Sequence, residues 1–266
     1  MNENFLFLEI NTNDTWIRDF GPISVEIEDK TVWFDYSFNG WGLKFPAFLD
    51  NLATAQIADC LDKEAPKKMN IVLEGGSIEC DGKGTLLTTS HCLLSPNRNP
   101  AYTKASLEEK LKRDFSLEKV LWLDSGALIG DDTDSHIDTL ARFCDENTIC
   151  YVSCDDEEDE HYPYLLEMKQ ALEAFRTSQN RPYKLVALPL PNAQYDPDDG
   201  HRLPATYANF LCINGAVLVP TYNDKHDNEV LMIFRSLFKD RKVIGIDCCA
   251  LIRQHGSLHC SAMQLY

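Results

Sequence analysis

The feature that most restricts what this chain can fold into is a repeat. Two short alternating runs joined by a polar turn, a helical stretch and a short apolar run follow one another four times. In the first round, residues 22–36 read as two strands around Glu28-Asp29-Lys30. A helix over about 47–63 and a strand at Asn70-Ile71-Val72-Leu73 follow. The second round is SIECDGKGTLLTT with Asp81-Gly82 as its hairpin turn, a helix over about 105–115, and KVLWL. Ser106 and Glu109 predict a capping box at that helix. The third is HIDTLARFCDENTICYVSC, a helix over about 160–177 and KLVALPL; the fourth is YANFLCINGAVLVPTY, a helix over about 227–238 and KVIGI. FLFLEI at the start reads as a lone strand, and SLHCSAM near the end as the start of a fifth round. The simplest fold is a single α/β domain over 1–266, a ring of similar units that needs both termini to close, with the first part of one unit missing. A three-layer sheet fits less well, because hairpins separate the helices.

Composition narrows the partners. A formal net charge of −17 argues against nucleic acid, which demands a surplus of Lys and Arg. It suits a small cationic substrate, though an ordinary acidic cytosolic protein has the same balance. There is no run of 18 apolar residues, so no membrane span is expected. The first residues do not read as an export signal. The acidic run Asp155–Glu160 predicts a solvated loop before a helix. Of ten cysteines, Cys60, Cys144, Cys150 and Cys212 lie in apolar segments and are expected to be reduced and buried, in keeping with a cytoplasmic location.

Polar residues gather near the strand starts. Asn13 to Pro22 contains Trp16 and Asp19; Leu73 to Ile78 contains Glu74; Gly130 to Asp138 contains Asp132, His136 and Asp138; His255 to Cys260 ends in a cysteine. If His136 and Asp138 lie on a strand, they face the same side, and the carboxylate orients the imidazole and favours its protonated form. A nucleophilic cysteine must be thiolate, partly open and near a positive group. Cys260 meets a glycine-containing turn, whereas Cys248 and Cys249 follow apolar VIGID and suit a core. A zinc site from Cys248, Cys249, His255, His259 and Cys260 has no matching ligand spacing, so no metal is expected. Two carboxylates, Asp19 and Asp138, could grip a planar guanidinium and leave its carbon facing a thiolate.

Together these stretches resemble the agmatine deiminase family, which includes the bacterial-type peptidylarginine deiminases. NDTWIRDFGP, LEGGSIECDGKGTLLTT with CLLSPNRNP, GDDTDSHIDTLARF, ATYANFLCINGAVLVPTYND and HGSLHCSAMQ are similar to its successive motifs, in order along nearly the whole chain. The resemblance implies a five-unit ββαβ pseudo-symmetric propeller, the pentein fold, with the site in the central hole and no cofactor. It implies that Cys260 attacks the guanidino carbon and that Asp19 and Asp138 hold the nitrogens. His136 would protonate departing ammonia and then activate water. Trp16, Glu74 and Asp132 would be substrate-binding, with Asp132 facing the far amine. Two departures stand out: His255 and Ser257 replace a Gly and an Asn of the family's turn, and Ser135 stands where Gly is usual.

The expected activity is hydrolysis of agmatine to N-carbamoylputrescine and ammonia. Arginine or peptidylarginine as substrate, amidino transfer, and a truncated guanidine-binding protein are the alternatives. A free-arginine enzyme would need a cation for the carboxylate, with Arg18, Arg142, Arg202 and Arg253 as candidates. A homodimer is possible for a ring with exposed acidic loops.

Overall fold

The computed structural model describes residues 5–266. Four three-stranded sheets share one topology. In the first, β1 (Ile23–Ile27) and β2 (Lys30–Ser37) form an antiparallel hairpin, α1 (Asp50–Cys60) crosses over, and β3 (Lys67–Val72) returns parallel to β2. The same order recurs in β4 (Ile78–Cys80), β5 (Thr85–Thr89), α2 (Lys104–Phe115) and β6 (Lys119–Leu123). It recurs in β7 (Ala141–Asp145), β8 (Thr148–Ser153), α3 (Tyr162–Ala174) and β9 (Lys184–Pro189). The small ribbon of β10 (Gln194–Tyr195) and β11 (Arg202–Leu203), which periodicity did not announce, precedes the fourth unit. That unit is β12 (Leu211–Ile213), β13 (Ala216–Thr221), α4 (Asp227–Leu237) and β14 (Lys242–Asp247).

The middle strand of each sheet is the apolar one. Every residue of β5 is buried, and β8 is buried from Thr148 to Val152, as expected when both faces are covered. The β1–β2 turn has positive φ at Glu28 and Asp29, the conformation of a type I′ hairpin. The β4–β5 connection is longer than a two-residue turn. Asp81 Oδ1 accepts the backbone N–H groups of Lys83 and Thr85, and Gly82 and Gly84 take positive φ. Helix α2 is capped by Thr103 with Ser106 as its reciprocal partner, three residues earlier than the sequence pattern suggested. One core joins the third and fourth units, and another joins the first and second.

Several expectations fail at the termini. FLFLEI forms no strand, and Phe5 and Phe7 are 70% and 81% exposed. A strand needs a partner edge, and none among the described residues pairs with it. Residues 255–266 form turns instead of a strand. The two terminal segments meet each other: Arg18 reaches the carbonyl of His259 and the side chains of Met263 and Gln264, and Tyr266 N–H donates to Ser24 Oγ. Of the four cysteines expected in the core, only Cys150 is fully buried; Cys60 is exposed and Cys144 and Cys212 are intermediate. No helix among the described residues is long and apolar enough to cross a membrane.

Candidate functional site

A third cluster of buried residues, Trp16, Phe20, Phe38, Trp41, Ala53 and Cys260, contributes Trp16, Trp41 and Cys260 to the wall of a cavity of about 250 Å³. Its lining includes Asp14, Trp16, Asp19, Trp41, Phe45, Asp131, Asp132, His255 and Cys260. It lies below the roughly 300–1,000 Å³ typical of drug-sized pockets, so it suits a small ligand.

The side chains at its floor are fixed from several directions. Asp19 sits in a short helical turn, Ile17–Phe20. Its Oδ1 accepts the backbone N–H of Gly76 at 2.9 Å, and its Oδ2 accepts Trp41 Nε1–H at 2.9 Å. Trp41 is aimed by an unusual stretch: Gly40, Trp41, Gly42 and Leu43 all have positive φ. L residues avoid this conformation, so the turn holds strain at the cavity wall. The flanking glycines in NGWG were its only sequence signal.

His136 and Asp138 are not on a strand. His136 caps a single 3-10 turn, Ile137–Thr139, and both side chains are buried. Each finds a carboxylate or imidazole other than the expected one. His136 Nδ1 is 3.6 Å from Asp19 Oδ1. Asp138 Oδ2 is 2.7 Å from His259 Nδ1. His259 was not foreseen as a site residue, yet its chemistry is unambiguous. Arg142 Nη2, 3.2 Å from His259 Nε2, can only donate, so Nε2 accepts and Nδ1–H donates to Asp138. Asn209 is a second residue that sequence reasoning missed. Its Oδ1 accepts the backbone N–H groups of His259 and Cys260 and lies 3.4 Å from Cys260 Sγ. Cys260 Sγ is 3.9 Å from Asp138 Oδ2.

Gly76 is where these groups converge. A Cβ there would lie 2.6 Å from His136 Nδ1, 2.8 Å from Asp19 Oδ1 and 3.1 Å from Asp138 Oδ2. Gly256 has a similar role at the wall, since a Cβ would strike the Trp16 ring at 2.5 Å. Ser135, where a glycine was expected, adopts φ +68°. It is held there by Asp131 Oδ2 on its N–H and Thr89 Oγ1 on its carbonyl.

Glu74 does not line the cavity. Both its oxygens accept Arg98 Nε–H, at 2.9 and 3.0 Å, and Arg98 also bonds Asp134. Glu74, Cys92 and His136 bring possible metal-ligating atoms within 4.8 Å of one another. A cation there would have to displace the guanidinium of Arg98 from Glu74, which makes this set a poor metal site. Asp132 lines the cavity with its side chain 44% exposed.

The electrostatics differ from the expectation of a ready imidazolium and thiolate. Burial, then the guanidinium of Arg98, holds the His136 pKa well below the usual imidazole range. Burial, then the charges of Asp138 and Asp19, pushes the Cys260 thiol well up. Burial and the nearby Asp138 raise Asp19, and burial lifts Asp138 to about 7 against the pull of Arg142 and Arg18. Of these four groups Asp19 and Cys260 line the cavity, His136 and Asp138 are buried behind it, and burial disfavours charge on all of them. Both ring nitrogens of His136 and Asp138 Oδ1 are buried with no hydrogen-bond partner, so no hydrogen bond joins His136 to Cys260. Such groups are costly unless a ligand completes them.

This strain has a measurable consequence. The folded state keeps the Asp138 proton up to about pH 7, while an unperturbed aspartate releases it near 3.8. The folded state therefore binds more protons in that interval, and stability falls as pH rises through it, by an amount on the order of a few kcal/mol. Asp138→Asn is expected to lose this slope. Urea midpoints at pH 5 and pH 8 check this: the variant's advantage over the parent should be larger at pH 8, and an equal gap at both would refute it.

The four hairpin–helix–strand units carry a small cavity lined by a thiol and carboxylates, with an imidazole buried behind it. The profile of the Porphyromonas-type peptidyl-arginine deiminases matches residues 3–265, and the chain belongs to that family. A solved structure from Porphyromonas gingivalis, named provisionally as an arginine deiminase, is 50% identical with a TM-score of 0.92, covering 97% of this chain and 77% of that one. A cysteine-to-serine variant of C. jejuni agmatine deiminase with substrate bound is 44% identical with a TM-score of 0.91, covering 97% and 75%. Agmatine deiminase of Ectopseudomonas mendocina (strain ymp) is 30% identical over 285 residues, 99% of this chain and 77% of the relative.

Proposed function

We propose that this chain hydrolyses agmatine to N-carbamoylputrescine and ammonia, with Cys260 as nucleophile. The observation that carries this reading is the composition of the cavity. A thiol and acids line it, and no arginine or lysine does so among the described residues. Free arginine would bring a carboxylate that needs a cation. The four arginines considered for that task are engaged elsewhere: Arg18 and Arg142 line a separate cavity with Glu79 and His259, Arg202 pairs with Asp159 and Glu160, and Arg253 pairs with Asp198. Agmatine carries a second cation in that position, which suits Asp14 and Asp132 at the rim.

The chemistry follows from burial of these groups. An entering guanidinium favours the ionised forms of Asp19 and Asp138, which release any protons they hold to water, and supplies the positive charge that stabilises the Cys260 thiolate. Sγ then attacks the guanidino carbon. Ionised Asp19, 3.6 Å from His136 Nδ1, favours the imidazolium that burial opposes in the empty site, so His136 takes the thiol proton and passes it to the departing nitrogen, which leaves as ammonia. A covalent thiouronium remains on Cys260. His136 next takes a proton from water, the oxygen adds to the same carbon, and the thiolate departs. Trp16 walls the cation's path. His259 holds Asp138, and Glu74 with Arg98 backs His136. We also read the four units and the meeting terminal segments as parts of a five-unit ring that acts as one catalytic domain.

The test is to offer agmatine, arginine and an arginine-containing peptide in oxygen-18 water. Agmatine is expected to give the highest kcat/KM, with one solvent oxygen in the product. Preference for arginine or the peptide would overturn the substrate, and product without label would overturn hydrolysis.

A further inference from the structure

At the rim of the cavity two imidazoles from distant parts of the chain lie together. His201 and His255 stack with ring centroids 4.9 Å apart and planes 14° apart. Their Nε2 atoms are 3.1 Å from each other. The other nitrogen of each ring is already committed. His201 Nδ1 pairs with the carboxylate of Asp199. His255 Nδ1 is 2.7 Å from the carbonyl oxygen of Gly130 and 3.3 Å from Asp132 Oδ2. Carbonyls and ionised carboxylates only accept, so each Nδ1 carries the hydrogen. With each ring's hydrogen on Nδ1, the two Nε2 lone pairs stand 3.1 Å apart, an arrangement that a cation bound to both would complete.

We propose that the His201–His255 pair is a binding site for a borderline divalent metal ion of the Ni²⁺ or Zn²⁺ kind. Imidazole nitrogen is a donor these ions favour. Two nitrogens bound at about 2.0–2.1 Å to one ion stand roughly 2.9–3.4 Å apart, which matches the observed separation. The Asp199 contact orients the His201 ring, as a carboxylate behind a metal-bound histidine does. Asp196 lies close enough to join Asp199 and His201 in one cluster, and the surroundings are acidic. The side chains are 37% and 28% exposed, leaving room for water to complete the coordination. His255 stands in a left-handed conformation, φ +66°, which carries its ring to the rim. Because His255 lines the cavity, a bound dication places positive charge at the entrance for a cationic substrate. That inhibitory consequence rests on the proposed function; the binding itself does not.

Calorimetric titration of Ni²⁺ into the full chain carrying Cys260→Ser, which removes the cavity thiol, tests the site. One Ni²⁺ per chain should bind, and His201→Gln should abolish that binding. Asp199→Asn should weaken it by about 10–100-fold. Equal affinity in the parent and His201→Gln, or no binding by the parent at millimolar Ni²⁺, would overturn the proposal. In the wild-type enzyme Ni²⁺ should raise the KM for agmatine, and His201→Gln should remove that effect. Equal inhibition of both proteins, or inhibition of neither, would overturn the regulatory consequence, whereas absence of any agmatine turnover would count against the activity and leave the binding result standing.

Discussion

Cys260→Ala is expected to reduce turnover by at least about 10⁴-fold while the chain stays folded. The sulfur is the single strong nucleophile that lines the cavity, 3.9 Å from Asp138 and 3.4 Å from Asn209. Its loss removes the covalent route and leaves the carboxylates that hold a guanidinium. Ligand binding should therefore survive where turnover does not. The structural cost is small, since alanine deletes one atom from an aromatic-walled cluster, about 1 kcal/mol by the usual transfer and cavity values. Circular dichroism and a denaturant midpoint check the fold, and agmatine turnover checks the chemistry. Activity within tenfold of wild type would remove Cys260 from the mechanism.

The second large effect comes from a single methyl group. Gly76→Ala puts a Cβ within 3.0 Å of both His136 Nδ1 and Asp19 Oδ1. Neither neighbour is free to yield. Asp19 is held by Trp41 and by the Gly76 N–H itself, and His136 is fully buried. Overpacking of this kind costs about 1–3 kcal/mol in stability. The larger consequence is displacement of the groups that hold and protonate the guanidinium, for which an error near 1 Å can cost on the order of 100-fold in rate. The variant is expected to fold, to bind agmatine weakly and to turn over at least about 100-fold more slowly. Wild-type kcat/KM in Gly76→Ala would mean that the reacting groups do not converge where the geometry has them.

Much of the architecture was legible because each unit is built from local signals. The hairpins of TLLTT and TICYVS, the helix starts and the returning strands all carry their own periodicity and turn residues. The termini were misread for the opposite reason. FLFLEI is a short apolar run that reads as a strand, but a strand exists only with a partner edge, and the sequence does not state one. His136-x-Asp138 was placed on a strand by its i, i+2 spacing, whereas a 3-10 turn delivers both residues to the core.

At the site, the residues that face the cavity sat in recognisable motifs, but those that set their chemistry did not stand out. Asn209 lies in an apolar run, and its place beside Cys260 depends on a contact 51 residues apart. The pairing of His259 with Asp138 spans 121 residues. Arg98 was visible in NRNP, yet only folding puts it on Glu74 and makes that carboxylate a support for His136 and not part of the cavity wall. Protonation states were the least legible. A histidine near an aspartate suggested an imidazolium, and complete burial beside Arg98 reverses that.

The most direct measurement is acid quenching of the wild-type chain during agmatine turnover, followed by digestion and mass spectrometry of the peptide that carries Cys260. The account predicts a fraction of that peptide heavier by the substrate less ammonia, absent when agmatine is omitted. Turnover with Cys260 unmodified at every quench time, or the adduct on a different cysteine, would contradict it.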